Sequence, residues 1–165
     1  VFEGQELCRK IRLFVMETKF ECIIFVGIQG SGKSTFYKEN FFKTHVRINL
    51  DMLKTRNRER ILTEACFEAK QNFVVDNTNP TAESRKRYID SAKKAGFKVI
   101  AYYFDIEYNT ALQRNNSRSG KEKVPERAVL STKKQLEKPV YAEGIDEIFT
   151  VITENKNIYI IKSDK

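Results

Sequence analysis

No stretch of this sequence is apolar for anything near the ~20 residues that a helix needs to cross a bilayer, so no membrane partner is expected. It opens with no charged-apolar-small leader, and no secretory signal is expected. Because it starts at Val1, excision from a longer chain stays open. Cysteine is scarce: Cys8, Cys22 and Cys66 are odd in number and widely spaced, which suits neither a disulfide framework nor a zinc site. Cys22 sits in an apolar run and Cys66 in a helical pattern, so both read as reduced packing residues in a cytoplasmic protein. The single histidine, His45, has no partner carboxylate near it in sequence and reads as structural. Internal repeats and low-complexity stretches are missing too, which leaves an ordinary globular chain.

What is present fills one domain. The 165 residues suffice for a single α/β unit, and 41% hydrophobic residues supply a packed core. The net charge of +8 favours polyanions such as nucleic acid or nucleotides, although a solvated lysine-rich surface would give the same number. Apolar runs alternate with helical patterns, the signature of a parallel sheet covered by helices.

The pattern predicts a helix over residues 3–19, a buried strand over Cys22–Val26 and a helix from Lys33 toward Asn40. A strand follows at His45–Asn49, then a helix with Ile61, Leu62, Ala65 and Ala69 on one face, and a strand at Phe73–Val75. A helix over Thr81–Ala95 places Tyr88, Ile89, Ala92 and Ala95 together and stops at a left-handed Gly96. Next come a strand at Phe97–Phe104, a helix at Glu107–Ser117 and an exposed basic loop at Arg118–Lys123. Pro125 can open the next helix in its first turn, with Val129, Thr132 and Leu136 inward. Strands at Ile148–Thr153 and Ile158–Ile161 close the sheet.

Gly27-Ile28-Gln29-Gly30-Ser31-Gly32-Lys33-Ser34, followed by Thr35, matches G-x-x-x-x-G-K-[ST] between a strand and a helix. Glycines let the backbone wrap a phosphate, and successive N–H groups at the helix start point at the anion. Lys33 would reach the β- and γ-phosphates of ATP or another nucleoside triphosphate, and Ser34 would ligand Mg²⁺. A glycine-rich turn that fits by chance is the alternative. Asp76 ends a strand, where open α/β sheets hold ligands, and suits a metal role through Ser34 or a water; capping a turn with Asn77 and Thr78 is its alternative. Asp51 lies just past another strand and could accept a hydroxyl proton, or cap the following segment. Arg114 and Arg118 share a helix face and could neutralise a transferring phosphate, or belong to a plain basic loop.

In this order the pieces resemble the kinase domain of the phage and animal 5′-polynucleotide kinases. The matching residues are Gly27–Thr35, Ile48–Asp51, Asp76-Asn77-Thr78-Asn79-Pro80, Ser84-Arg85 and Arg114–Pro125; Leu136–Pro139 and Ala142–Gly144 look especially like the animal enzymes. The likeness runs from Cys22 to about Thr150. It implies a three-layer P-loop kinase fold, a mainly parallel sheet flanked by helices, with a helical lid near residues 114–136 of a single domain over 1–165. It also implies Mg²⁺-dependent transfer from ATP or another triphosphate to the 5′-hydroxyl ends of DNA or RNA, in end healing and repair.

By that resemblance Asp51 is the general base, Arg118 the lid arginine on the transferring phosphate and Arg114 a second phosphate contact. Asn77 and Thr78 flank the acceptor end. Lys54 stands where the family often has an acceptor-binding arginine, and Asn49-Leu50-Asp51 where it often has N-R-D. Asp105-Ile106-Glu107 does not match the D-x-D of the phosphatase that relatives often carry, so no phosphatase is expected. Two rivals remain: a kinase of a small metabolite or sugar, and a nucleotide-switched binding ATPase. DNA or RNA, single strand or duplex, the donor and the oligomeric state are open.

Overall fold

The structure is a computed structural model that describes residues 20–120, 123–154 and 157–163. The helix expected over residues 3–19 lies outside them, as do residues 121–122 of the expected basic loop. Six strands form one sheet: β1 (Glu21–Val26), β2 (Val46–Ile48), β3 (Phe73–Val75), β4 (Lys98–Asp105), β5 (Glu147–Glu154) and β6 (Asn157–Lys162), in the order β2-β3-β1-β4-β5-β6. All neighbours are parallel except β6, which runs antiparallel to β5. β1 is central and buried along nearly its whole length, which is why it reads as an unbroken apolar run rather than an alternating one.

The connection through α1 (Lys33–Asn40) carries the chain from β1 to β2 on one side of the sheet, and that through α4 (Ala82–Lys94) carries it from β3 to β4 on the other side of β1. The end of β1 is therefore the point where the strand order reverses, and ligands collect beyond that end in open α/β sheets. One sheet face packs Cys22, Ile24, Val75, Val99 and Ala101 against Tyr88, Ile89 and Ala92 of α4. The other packs Ile23, Phe25, Val74 and Phe104 against Phe36 and Tyr37 of α1. Phe25, Phe36 and Phe104 meet edge to face at 5.1–5.8 Å between centroids, the geometry their ring quadrupoles favour.

Most expected elements are present within a residue or two. Thr81 caps α4, with Ser84 Oγ accepting the Thr81 N–H in return, and Gly96 takes φ +79° beyond its end. Pro125 is the cap of α6 (Glu126–Gln135) rather than a residue of its first turn, and Val129 is its buried contact. One expectation is corrected. In α3 (Arg56–Glu68), Ile61, Ala65 and Ala69 face solvent, while Glu59, Thr63 and Cys66 are buried. Glu59 can be buried because Arg56 and Asn77 both donate to it; polar satisfaction overrode the apolar periodicity.

His45 packs on Phe41 and its Nε2 lies 3.3 Å from the Glu21 carboxylate, a partner distant in sequence but structural in effect. Cys22 and Cys66 are free and buried. Among the described residues no helix is long and apolar enough to cross a membrane.

Candidate active site

The loop from Gly27 to Gly32 leaves β1 at the reversal point and turns into α1. Gly30 has φ +80°, and a Cβ there would lie 2.2 Å from the Ala111 carbonyl oxygen, so only glycine fits. Gly32 caps α1 with no side chain of its own, leaving the first-turn N–H groups unobstructed. Lys33 is buried and its ammonium donates to Gly27 O (2.8 Å), Ile28 O (2.7 Å) and Ser31 Oγ (3.3 Å). Burial pulls its pKa down to about 8, opposed by Asp76 and Asp51 and assisted by Arg118. Three residues from separate segments thus bear electrostatically on one ammonium.

Asp76 is 2% exposed and accepts from the Ser34 hydroxyl at 3.0 Å. These two oxygens suit magnesium, which takes few protein oxygens and completes its shell with water and substrate phosphates. No cluster of three or more His, Cys, Asp or Glu side chains that could hold a metal occurs among the described residues. Arg47 of β2, unnoticed in the sequence, joins this pair: its Nε and Nη2 donate to Asp76 Oδ2 at 2.8 and 2.5 Å, and Nη2 also donates to Ser34 Oγ at 2.9 Å. A charged residue inside a three-residue apolar strand that ends on the ligand rim was the signal available for it.

Asp51 lies on the first turn of α2 (Leu50–Leu53) and is exposed. It caps nothing: Asn49 is the cap of α2, accepting from the Met52 N–H, and Thr55 is the cap of α3. Its carboxylate makes no hydrogen bond or ion pair with any described residue, while its carbonyl accepts from the Lys54 ammonium. The turn that carries it is held from below. Asn49 donates to Asp76 O at 2.6 Å, and Asn77 accepts the Leu50 N–H at 2.8 Å while donating to Glu59 at 2.6 Å. Asn77 therefore braces this turn with both ends of its amide, and the Thr78 carbonyl accepts the Gly27 N–H.

The lid consists of α5 (Tyr108–Asn116), the following loop and α6. Ile28 of the P-loop packs with Ala111 and Val129, and Gln29 Nε2 donates to Thr132 Oγ1 at 3.2 Å. The Arg114 guanidinium comes within 3.9 Å of where a Gly32 Cβ would be. Asn115, fully buried, closes the loop after α5 by exchanging two hydrogen bonds with Val124 at 2.7 and 3.0 Å. Arg118 sits on that loop, exposed, with no hydrogen bond or ion pair from its side chain to a described residue. Thr35 is exposed on the first turn of α1.

Behind the site, Arg85 is wholly buried. It grips Glu143 with two hydrogen bonds of 2.7 Å and donates to Asn79 O and Glu137 O. No local pattern signals this pair, because 58 positions separate Arg85 from Glu143.

A strand-loop-helix phosphate cradle at the reversal point of a mostly parallel sheet, with an acid on the neighbouring strand and arginines on a helical lid, defines a P-loop nucleotide-binding protein. A family model described as an AAA domain matches residues 22–139, and the chain belongs to that family. Among curated relatives, the bifunctional polynucleotide phosphatase/kinase of Schizosaccharomyces pombe is 30% identical over 78% of this chain and 32% of its own length. An Acanthamoeba polyphaga mimivirus protein, provisionally given the same designation, is 35% identical over 81% of this chain and 33% of its own. This chain spans about a third of the length of both, and the likeness to polynucleotide kinases suggested by the motifs is met. In fold it is similar to a sugar kinase from Janibacter sp. HTCC2649, with TM-score 0.61 and 17% identity over 81% of this chain and 84% of that one.

Proposed function

We propose that this domain transfers the γ-phosphate of ATP, or of another nucleoside triphosphate, to the 5′-hydroxyl end of DNA or RNA. The observation that carries the reading is Asp51: an exposed carboxylate with no hydrogen-bond or ion-pair partner among the described residues, on a braced turn, within electrostatic reach of the P-loop lysine. Curated relatives designated polynucleotide phosphatase/kinases support the choice of acceptor. The sugar-kinase likeness, at 17% identity, speaks for the fold alone.

In this mechanism the P-loop N–H groups and Lys33 hold the β- and γ-phosphates, with Arg114 beside them. Asp51 accepts the proton of the 5′-hydroxyl as its oxygen bonds to the γ-phosphorus; the bond from that phosphorus to the β–γ bridging oxygen breaks and a nucleoside diphosphate leaves. Arg118 meets the charge on the equatorial oxygens with its planar fork. Magnesium held by Ser34, and by Asp76 directly or through water, would neutralise charge on the β- and γ-oxygens. Lys54, Asn77 and Thr78 border the acceptor; from the geometry, Asn77 serves by fixing the Asp51 turn. Such an activity belongs to nucleic-acid end healing and repair, in a cytoplasmic setting.

Transfer of label from γ-labelled ATP to oligonucleotides ending in a 5′-hydroxyl, with 5′-phosphate ends as the control, tests the reading. Label on the 5′-hydroxyl ends alone is expected. Label transferred only to sugars or other small metabolites would overturn it in favour of a metabolite kinase. ATP hydrolysis indifferent to any acceptor would mark a nucleotide-switched module.

A further inference from the structure

Arg47 stands on the two oxygens that a metal would use. Its guanidinium gives two N–H groups to Asp76 Oδ2 and one to Ser34 Oγ, while Ser34 gives its own proton to Asp76. Asp76 is buried and Arg47 only partly so, with its side chain 27% exposed. The guanidinium also lies over the Tyr37 ring, 5.6 Å from the centroid, so the ring face supports it. Tyr37 is itself fixed by donating to His45 O at 2.8 Å.

Magnesium bonds directly to oxygen at about 2.0–2.1 Å and demands near-octahedral room. A guanidinium hydrogen-bonded to the same hydroxyl and the same carboxylate oxygen takes up the lone pairs and the space that this shell needs. Two cationic centres on one pair of oxygens also repel strongly. Direct ligation of a metal by Ser34 Oγ and Asp76 Oδ2 therefore requires the guanidinium to leave them.

We propose that Arg47 is a built-in competitor of the metal: it neutralises Asp76 and holds Ser34 when no metal–nucleotide is present, and swings away from both when one binds. The inference rests on the reading of Ser34 and Asp76 as metal-binding residues, and it adds a residue that sets how much magnesium the site requires. An arginine suits the task because its fork spans both oxygens at once, which an ammonium cannot do. The arrangement also removes the penalty of a bare buried carboxylate in the nucleotide-free protein.

The test is calorimetric titration of ADP at a series of magnesium concentrations, for the wild type, Arg47→Gln and Arg47→Lys, with Mn²⁺ binding followed by electron paramagnetic resonance. If the closed arrangement is populated at about 90% without ligand, Arg47→Gln should tighten metal-dependent ADP binding roughly tenfold. It should leave metal-free ADP binding nearly unchanged. Arg47→Lys, which keeps a cation for Asp76 but loses the fork, should fall between the two and guards against poor folding of the glutamine variant. Without ligand, Arg47→Gln should melt below the wild type, and magnesium with ADP should close most of that gap. Unchanged or weaker metal affinity in both variants would overturn the proposal and make Arg47 a positioning residue for Asp76. Ser34→Ala and Asp76→Asn serve as the separate control. If magnesium still strengthened ADP binding in those two as in the wild type, the metal reading itself would fail, independently of Arg47.

Discussion

The molecule handles charge in two opposite ways at the two sides of its ligand rim. Behind the P-loop, Arg85 is fully buried and its described partners are complementary groups of the fold itself: the Glu143 carboxylate and two carbonyls. Toward the front, Asp51 and Arg118 are exposed and make no side-chain hydrogen bond or ion pair with any described residue. Both nevertheless act on Lys33 through space. Charges satisfied within the fold hold it together, and charges left unsatisfied around a buried lysine are those available to a substrate. Asp76 lies between the two regimes, since it is buried like Arg85 and, like Asp51, acts on Lys33 at the cradle.

The comparison breaks most completely at its centre. Lys33→Ala and Ser34→Ala should abolish phosphate transfer, because they remove the phosphate counter-charge and the metal-binding hydroxyl. Lys33→Ala should leave melting close to the wild type or above it, since Lys33 carries a burial penalty in the folded state. Transfer at the wild-type rate in either variant would show that the cradle is not the donor site.

Arg118 and Asp51 should separate cleanly. Loss of Arg118 should slow transfer to every acceptor alike, by up to roughly 10³–10⁵ for a finger-like arginine, and lysine should rescue it poorly. Asp51→Asn should slow transfer by roughly 10²–10⁴, the range of a lost general base, while ATP binding by calorimetry stays near normal. If Asp51→Asn weakened ATP binding and kept the single-turnover rate, Asp51 would be a metal or structural residue.

The rear of the site should respond in stability instead. Arg85→Ala strips Glu143 of its partner and should cost about 3–5 kcal/mol. At about 2–4 °C per kcal/mol for a domain of this size, melting should drop by roughly 6–20 °C. Transfer measured well below the new midpoint should persist, and a fall there as deep as that of Arg118 variants would erase the distinction between the two sides.

Much of this division could be read in the sequence, and the failures share a cause. The cradle, the strand ends at Asp51 and Asp76, and the lid arginines are set by local pattern: strand, turn and helix signals within a few residues of each other. Arg47, Glu59 and the Arg85–Glu143 pair were missed because the partners concerned lie 13 to 58 positions away. In α3, apolar spacing pointed to Ile61 and Ala65, yet the buried side is lined by a glutamate that only a distant asparagine and a nearby arginine make tolerable. Local periodicity reports apolar burial and is silent on polar groups buried in pairs.

The mildest effect concerns the front rim as a whole. Lys54 is exposed beside Asp51 and holds a left-handed φ of 70°, with its ammonium folded onto the Asp51 carbonyl. That carbonyl is a neutral partner, so the charge remains available to an acceptor phosphate. With Lys121 and Lys123 as further candidates from the sequence, about three phosphate contacts would give a slope of roughly −2 to −3 in log affinity against log salt, at about 0.7–0.9 per contact. Lys54→Ala should make the slope shallower by roughly 0.7–0.9 and weaken binding of all sequences alike, because a phosphate contact carries no base information. Arg85→Ala, a change of equal charge on the buried side, should leave the slope of the folded protein unaltered. Fluorescence anisotropy of a labelled 5′-hydroxyl oligonucleotide across a salt series would measure both. A flat salt profile in the wild type would mean that the exposed charges do not meet a polyanion at all, and would favour a small, weakly charged acceptor over a nucleic-acid end.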